Sequence, residues 1–226
     1  INVIENEMHG LERVVVLDDG DGIEFDALNE TFGSFNESAK KASLTLKGEH
    51  GRGRLAFHRL CRNASWFTKC NGIDAVIDVS EPTIKDFEGR LLDEVEQKAD
   101  ILKQGKGTLV ELTNFTGVLP ESDALREKFS VEFGWYLAVH PDKQVVLNGV
   151  TIQVPKHEAV QQEIAADDAI FQVQVIRWEQ RPTSEKSYLY LLNSSGTPVY
   201  KVLSSLNQKP NFFTSVCVTS TWADTF

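Results

Sequence analysis

Two glycine-rich turns carry the residues of this sequence that are best suited to binding chemistry. The first is Asp18-Asp19-Gly20-Asp21-Gly22, which follows an apolar run, and the second is Gly48-x-x-Gly51-x-Gly53. A carboxylate at the end of a strand only accepts hydrogen bonds, so Asp18 suits an exocyclic amine such as adenine N6. Guanine presents an oxygen at that place, and two acceptors that face each other in a dry pocket are strongly disfavoured.

The second turn is suited to a phosphate group. It leads directly into a predicted helix, whose first N–H groups and macrodipole favour an anion. In the first turn, Gly20 and Gly22 permit positive φ and let the backbone approach a flat ring. Each motif alone is a weak signal, because the same pattern often occurs in ordinary turns that bind nothing. The two together, in this order and with a polar loop over residues 33–48 between them, are a specific indication of a nucleotide site.

The hydrophobic pattern predicts the elements that position these turns. Residues 12–17 end in a β-branched run typical of a buried strand, which delivers Asp18 into the first turn. Short helices are predicted over 25–32 and from Gly53 through Cys61. Residues 84–103 fit either a helix or a long charged hairpin, and this choice stays open. Strands are predicted over 66–69, 74–79 and 107–112.

The second half of the chain has a different pattern of predicted elements. An amphipathic helix is predicted over 123–139, and Asn148-Gly149 predicts a hairpin turn within 145–152. Four strands should follow, over 171–178, 187–192, 198–203 and 212–219. Because residues 157–168 read as a polar connector, we predict two domains, 1–157 and 158–226.

Composition narrows the class of protein. The chain has 226 residues and a formal net charge of −10, with 41% hydrophobic residues, which excludes wholesale disorder and argues against DNA affinity spread over the surface. No apolar run is long enough to span a membrane. The three cysteines match no zinc pattern, so we expect buried thiols, a cytoplasmic location and no structural metal. The chain opens with Ile1 rather than Met, which suggests a piece of a longer protein.

The two turns resemble those of the GHKL superfamily of gyrase, heat-shock-protein-90 chaperones, histidine kinases and MutL, whose ATP site is the Bergerat fold. Residues 14–23 are similar to that family's adenine-binding turn, and residues 48–60 to its second glycine box with the following helix. Residues 32–40 resemble the Ser-x-Lys lid of MutL-like and MORC-like members. Gly107-Thr108 matches a late strand whose Thr supports the adenine. The resemblance covers about residues 1–155, followed by a weak likeness to a β-rich transducer domain.

This resemblance implies a fold and a set of site residues. The fold class is α+β, with a two-layer α/β sandwich that carries a mixed sheet and helices on one face, then a smaller β-rich transducer-like domain. The implied ATP-binding residues are Asp18, Gly20, Gly22, Ile23, Ser38, Lys40, Gly48, Gly51, Arg52, Gly53 and Thr108. The implied cofactors are ATP and Mg²⁺. The family holds Mg²⁺ and its catalytic Glu on a helix expected upstream of this chain, so neither Glu5 nor Asn6 is assigned those roles and no catalytic residue is named.

The resemblance also implies a function. ATP binding would close the lid and drive a conformational switch. The implied partner is a second copy of the chain, in an ATP-dependent homodimer, and no membrane partner is implied. The alternative is a nucleotide-binding or assembly module that keeps the fold without turnover, and the sequence leaves ATP hydrolysis undecided. A histidine-kinase catalytic domain fits less well, because such domains normally end the chain after this fold, whereas residues 158–226 continue here. Nucleic acid is not indicated by these residues, although relatives act on DNA through other segments.

Overall fold

The chain is described by a computed structural model, which covers residues 1–31, 53–81, 83, 86–166, 168–181 and 187–225. The class is α+β, as predicted, with two large sheets and few helices. Five of the predicted ATP-binding residues lie outside the described residues: Ser38, Lys40, Gly48, Gly51 and Arg52. None of the helices in the described ranges is long and apolar enough to cross a bilayer.

The described residues divide into two compact units. The first comprises residues 1–31, 53–120 with its gaps, and 147–149; the second comprises 121–146 and 150–225 with its gaps. This division begins the second unit at the helix that starts near residue 121, whereas the sequence predicts a boundary after residue 157. The predicted domains 1–157 and 158–226 stay a proposal.

The first unit is built on a six-stranded sheet in which every neighbouring pair is antiparallel. Its spatial order is β1-β2-β6-β3-β4-β5, so β6 lies between two strands that precede it in the chain. The strands are β1 (Asn2–Glu5), β2 (Leu11–Asp18), β3 (Cys61–Cys70), β4 (Ile73–Ser80), β5 (Glu88–Leu91) and β6 (Gly107–Phe115). The strands predicted over 12–17, 66–69, 74–79 and 107–112 are all present.

Short helices complete the first unit. Helix α1 covers Leu28–Thr31, within the predicted 25–32, and a 3₁₀ helix covers Gly53–Arg59. The prediction that the second helix continues through Cys61 is wrong. Cys61 is fully buried and pairs with Phe115 of β6, so strand pairing ends the helix two residues earlier than its apolar spacing suggests. The core beneath the sheet joins Leu28, Phe57, Cys61, Ala64, Ile77 and Val79.

Residues 84–103, which the sequence left open, contain both kinds of element. Strand β5 is followed by a 3₁₀ turn over Glu94–Glu96 and by helix α2 (Ala99–Gln104), which contacts β6 and β3. Ile101 of α2 and Leu109 of β6 are buried. Lys98 Nζ lies 2.9 Å from Glu111 Oε1 and 3.9 Å from the centroid of the Phe67 ring. These contacts tie α2 to the two strands that end at the site described below.

The second unit is built on a five-stranded sheet and one long helix. The sheet order is β12-β11-β13-β10-β9, and β11–β13 is its one parallel pair among the described strands. A two-stranded hairpin, β7 (Val146–Leu147) and β8 (Val150–Thr151), turns at Asn148-Gly149, as predicted. Val146 and β8 are in this unit, and residues 147–149 are in the first. The remaining elements are α3 (Ser122–Val139), β9 (His157–Ala166), β10 (Ala169–Trp178), β11 (Tyr188–Leu192), β12 (Pro198–Leu203) and β13 (Phe213–Thr219).

Helix α3 packs on the second sheet through aromatic side chains. The rings of Trp135 and Tyr190 stack with centroids 4.6 Å apart and planes 7° from parallel. Gly134 lets the helix approach Pro155, because a Cβ there would lie 2.8 Å from the proline Cδ. The buried indole of Trp178 donates to Ser215 Oγ at 3.0 Å.

Ten residues of the polar connector predicted over 157–168 form a strand. Residues 157–166 form β9, which pairs with β10 from the His157–Trp178 pair to the Ala166–Ala169 pair. Strand β9 is at the edge of its sheet and is exposed at almost every position. Its polar composition therefore reflects exposure on both faces rather than the absence of regular structure.

Candidate functional site

Three neighbouring strands bring the predicted adenine residues together in the first unit. Asp18, the last residue of β2, is in register with Thr108 of β6. Thr108 is also in register with Thr68 of β3. The site therefore lies where β2 ends, across three strands whose residues are far apart in the sequence.

Backbone N–H groups hold the Asp18 carboxylate through one of its two oxygens. Its Oδ1 accepts hydrogen bonds from the N–H of Gly20 at 3.0 Å and from the N–H of Thr108 at 3.2 Å. Among the described residues none donates a hydrogen bond to Oδ2, and the residue is exposed. The fixed carboxylate thus presents its second oxygen as an acceptor for a ligand.

The turn after Asp18 lies against the end of β3. Gly22 has φ +81°, and a Cβ on it would overlap the carbonyl oxygen of Lys69. Ile23 donates its N–H to Thr68 Oγ1 at 2.7 Å, and its side chain packs against the core cluster that contains Phe57. The turn is therefore anchored at its far end by a hydrogen bond and by apolar packing.

The start of β6 contacts the same turn. Gly107 has φ +125°, and a Cβ on it would overlap the backbone oxygen of Asp18. Lys106 Nζ lies 2.7 Å from Asp21 Oδ1. The hydrogen bond with Lys106 lowers the pKa of the Asp21 carboxyl, and the same contact raises the pKa of Lys106. This exposed pair adds an electrostatic link between the turn and the segment that precedes Thr108.

Thr68 is a site residue that sequence reasoning missed. It is 1% exposed, and its hydroxyl oxygen lies 3.5 Å from the hydroxyl oxygen of Thr108, which is 6% exposed. One signal was available, because Ala64, Trp66 and Thr68 alternate on the face of β3 that packs on the core. A threonine that continues an apolar alternation needs a buried hydrogen-bond partner.

Some of the predicted ATP-binding residues lie together in the structure, and others lie outside the described residues. Asp18, Gly20, Gly22, Ile23 and Thr108 meet at the end of β2. Gly53 begins the 3₁₀ helix, whose Phe57 belongs to the same core cluster that Ile23 contacts. The roles assigned to Ser38, Lys40, Gly48, Gly51 and Arg52 fall outside the described residues and stay predictions.

No metal centre is visible in the residues that the structure describes. There, no group of three or more His, Cys, Asp or Glu side chains could hold a metal ion. The three cysteines, Cys61, Cys70 and Cys217, form no disulfide. Burial raises the pKa of Cys61, and it raises that of Cys217 to about 12. These two thiols are packing residues rather than nucleophiles.

The first 108 residues match a known protein family. The family model for "Histidine kinase-, DNA gyrase B-, and HSP90-like ATPase" matches residues 1–108. These residues run from β1 to Thr108, so they contain the turn that follows Asp18, the second glycine-rich turn of the sequence and the first two residues of β6. A search of curated proteins finds no significant match.

Solved structures with the same fold come from type II topoisomerases. The ATPase region of the Saccharomyces cerevisiae enzyme aligns with 96% of this chain at a TM-score of 0.52 and 12% identity, and its complex with ICRF-187 (dexrazoxane) aligns at 0.51 and 11%. The ATPase and transducer domains of the Balamuthia mandrillaris enzyme align with 84% of the chain, at 0.50 and 14%. At these identities the likeness shows the fold alone.

The relatives are longer than this chain. It covers 66% of each yeast topoisomerase structure and 51% of the amoebal one. The predicted likeness to MutL-like and MORC-like members in particular stays a prediction. The superfamily, in contrast, is confirmed, because the family match and the neighbouring folds agree with the turn at Asp18 and Thr108. Over residues 1–108 the chain therefore matches the histidine kinase-, DNA gyrase B- and HSP90-like (GHKL) ATPases, and its fold is that of the ATPase regions of their solved relatives.

Proposed function

We propose that the first unit binds ATP with the adenine at the end of β2. The second carboxylate oxygen of Asp18 accepts the exocyclic amine, and the Thr108 hydroxyl faces the neighbouring ring nitrogen. Gly20 and Gly22 allow the turn to lie close to the ring. One observation carries this proposal: Asp18 Oδ1 is occupied by two backbone N–H groups, which leaves Oδ2 for the ligand beside Thr108.

The arrangement favours adenine over guanine. Adenine places a donor, its N6 amine, opposite the Asp18 carboxylate, whereas guanine places the O6 acceptor there. A buried acceptor that faces another acceptor loses its hydrogen bond and retains its desolvation cost. We therefore expect the site to reject GTP by a factor of about 10² or more, as sites built around a polar group do.

The phosphates are assigned to the second glycine turn. We propose that Gly48, Gly51, Arg52 and Gly53 surround them and that Ser38 and Lys40 contact them when the segment 33–50 closes as a lid. Support comes from the family match, which spans this segment, and from the 3₁₀ helix that begins at Gly53. Mg²⁺ would accompany the nucleotide and neutralise phosphate charge, and no described residue is assigned to it.

The wider role is a nucleotide-driven switch. We propose that ATP binding orders the lid, alters the placement of the predicted domain 158–226 and favours a homodimer. Support comes from the topoisomerase II neighbours, one of which comprises ATPase and transducer domains. A cytoplasmic location is proposed from the three free cysteines. Whether the bound ATP is hydrolysed separates this switch from an assembly module that binds without turnover.

Calorimetric titration of the full chain with ATP, ADP and GTP, with and without Mg²⁺, tests the site. We expect adenine nucleotides to bind and GTP to fail. Asp18→Ala should remove binding, while Asp18→Asn, which retains an acceptor oxygen, should lose less. Asp19→Ala is the matched control, because Asp19 is the exposed neighbour in the same turn. Equal affinity for ATP and GTP, or an unchanged affinity in Asp18→Ala, would refute the proposal.

Lid closure and turnover need separate measurements. Limited proteolysis with and without a non-hydrolysable ATP analogue should show protection within residues 33–50 if the lid closes. Unchanged cleavage at saturating analogue would exclude closure while leaving binding intact. A phosphate-release assay on the same chain then distinguishes an ATPase from a module that only binds.

A further inference from the structure

Thr68 lies behind Thr108, where its neighbours limit the hydrogen bonds that its hydroxyl can make. The side chain is 1% exposed, so water does not satisfy it. Its Oγ1 accepts the N–H of Ile23 at 2.7 Å. Two further oxygens lie near it: the carbonyl oxygen of Gly107 at 3.3 Å and the hydroxyl oxygen of Thr108 at 3.5 Å.

The hydrogen atoms can be assigned in two ways. The Ile23 N–H uses one lone pair of Thr68 Oγ1, so Thr68 still has one hydrogen to donate. If that hydrogen goes to Thr108, the Thr108 oxygen is occupied by a donor and its own hydrogen turns to the ligand. If it goes to Gly107 instead, Thr108 can donate back to Thr68 and presents an acceptor to the ligand.

The ligand decides between these two states. A ring nitrogen with a lone pair, such as adenine N1, needs a donor and therefore selects the first state. In that state the Thr68 hydrogen bond polarises the Thr108 hydroxyl and strengthens its donation, since chains of hydrogen bonds are cooperative. A protonated ring nitrogen, as in guanine N1–H, needs an acceptor and favours the second state, in which both lone pairs of the Thr108 oxygen are free.

We propose that Thr68 is a positioning residue for base recognition: it donates to Thr108 and thereby makes the Thr108 hydroxyl the hydrogen donor to N1 of adenine. The contact to N1 is direct or passes through one water that keeps the same polarity. This inference rests on the proposed ATP site and deepens it. Asp18 reads the exocyclic amine, and the Thr68–Thr108 pair reads the ring nitrogen.

The test compares ATP with 1-deaza-ATP, in which a C–H group replaces N1. In the parent chain we expect ATP to bind about tenfold more tightly than 1-deaza-ATP. This factor corresponds to one net hydrogen bond at the upper end of the usual range of strengths. In Thr68→Val the ratio should fall to about threefold or less, because the Thr108 hydroxyl loses its donor. Thr68→Ser keeps the hydroxyl and should keep the parent ratio, while Thr108→Val should bring the ratio close to one.

The ratio separates this role from a structural one. If Thr68 only supports the Ile23 N–H and the turn, Thr68→Val weakens both nucleotides equally, the ratio stays at its parent value, and the inference is overturned. It is also overturned if the parent chain binds both nucleotides equally, or if Thr68→Ser behaves as Thr68→Val does. Should Thr68→Val fail to fold, Thr68→Cys replaces it, and its weaker thiol donor should lower the ratio in the same direction.

Failure of the inference can be distinguished from failure of the proposed function. A parent chain that binds ATP but shows an unchanged ratio in Thr68→Val keeps the ATP site and removes only the role of Thr68. A parent chain that binds neither ATP nor 1-deaza-ATP removes both. Circular dichroism of every variant before titration assigns each loss of binding to the site or to unfolding.

Discussion

Glycines with positive φ occur both at the candidate site and in the hairpin turns, but their surroundings differ. Gly22 and Gly107 at the site have φ +81° and +125°, and Gly72 and Gly149 in hairpins have φ +80° and +77°. A Cβ on either site glycine would overlap a backbone oxygen of a neighbouring strand. A Cβ on either hairpin glycine would have no heavy atom within 4 Å.

The difference separates a local requirement from a tertiary one. At Gly72 and Gly149 only the backbone conformation of the turn favours glycine. Any other L-residue there would cost about 1 kcal/mol or slightly more in backbone energy, because the left-handed region is strained for it. At Gly22 and Gly107 glycine also allows two backbones to approach each other. Gly22 approaches the Lys69 carbonyl of β3, and Gly107 of β6 approaches the Asp18 carbonyl, so the two glycines set how closely the turn after Asp18 lies against β3 and β6.

The largest effect is expected for Gly22→Ala. The new methyl group would overlap the Lys69 carbonyl oxygen, which belongs to a paired strand and cannot move aside without breaking that pairing. We expect a loss of more than about 2 kcal/mol in the free energy of unfolding together with loss of ATP binding. Urea denaturation followed by circular dichroism, and calorimetry on the folded fraction, measure the two.

Gly72→Ala is the matched control for that experiment. Its φ is almost the same, but the position is open, so we expect a cost of about 1 kcal/mol and unchanged nucleotide affinity. Equal destabilisation by Gly22→Ala and Gly72→Ala would show that φ alone accounts for both glycines. In that case the close backbone approach would carry no energy of its own.

A smaller effect on stability is expected for Asp18→Ala. The substitution leaves the N–H groups of Gly20 and Thr108 without their side-chain acceptor, and Thr108 is almost completely buried. We expect a loss of about 1 kcal/mol in unfolding free energy. Asp18→Asn, which keeps the acceptor, should lose less in the same urea titration. A loss as large as that of Gly22→Ala would mean that Asp18 is mainly a structural residue.

The Lys106–Asp21 pair should contribute less again, because both side chains are exposed. The hydrogen bond with Lys106 lowers the pKa of Asp21, so the stabilisation is present at neutral pH and is lost as the pH falls through that lowered pKa. We expect a small difference in urea midpoint between the parent and Lys106→Gln at neutral pH. It should shrink in high salt and disappear in acid. A difference that persists in acid would exclude the ion pair as its cause.

The smallest effect is expected on the reactivity of Cys70, which ends β3 just before the open Asn71-Gly72 turn. Burial, followed by the charges of Glu24 and Asp21, raises the pKa of its thiol. Asp21→Asn should therefore speed alkylation of Cys70 modestly at about pH 8, since the thiolate is the reactive form. Cys217 is the internal control, and it should stay slow in both proteins because its pKa is about 12. An unchanged Cys70 rate would show that the turn charges do not reach the thiol.

Local chemistry allowed the sequence to predict much of this molecule. The β-branched run before Asp18 and the Asn-Gly hairpin are both determined by neighbours in the chain. The alternation in β3 indicates that Thr68 is buried but does not identify its partners. These are Ile23, Gly107 and Thr108, which only the tertiary fold brings near it. The strand β9 was misread for the same reason, since its polar residues are explained by an edge position in a sheet.

The hydrogen bond from the Thr108 N–H to Asp18 also bears on how the protein folds. It joins residues 90 positions apart, across the central strands of the first sheet. Closing so long a loop costs chain entropy before any contact compensates for it, and folds rich in such distant contacts reach their native state slowly. The proposed adenine site should therefore form late during refolding, after the β3–β4 hairpin. ATP binding, measured during refolding, would report completion of the domain rather than its first collapse.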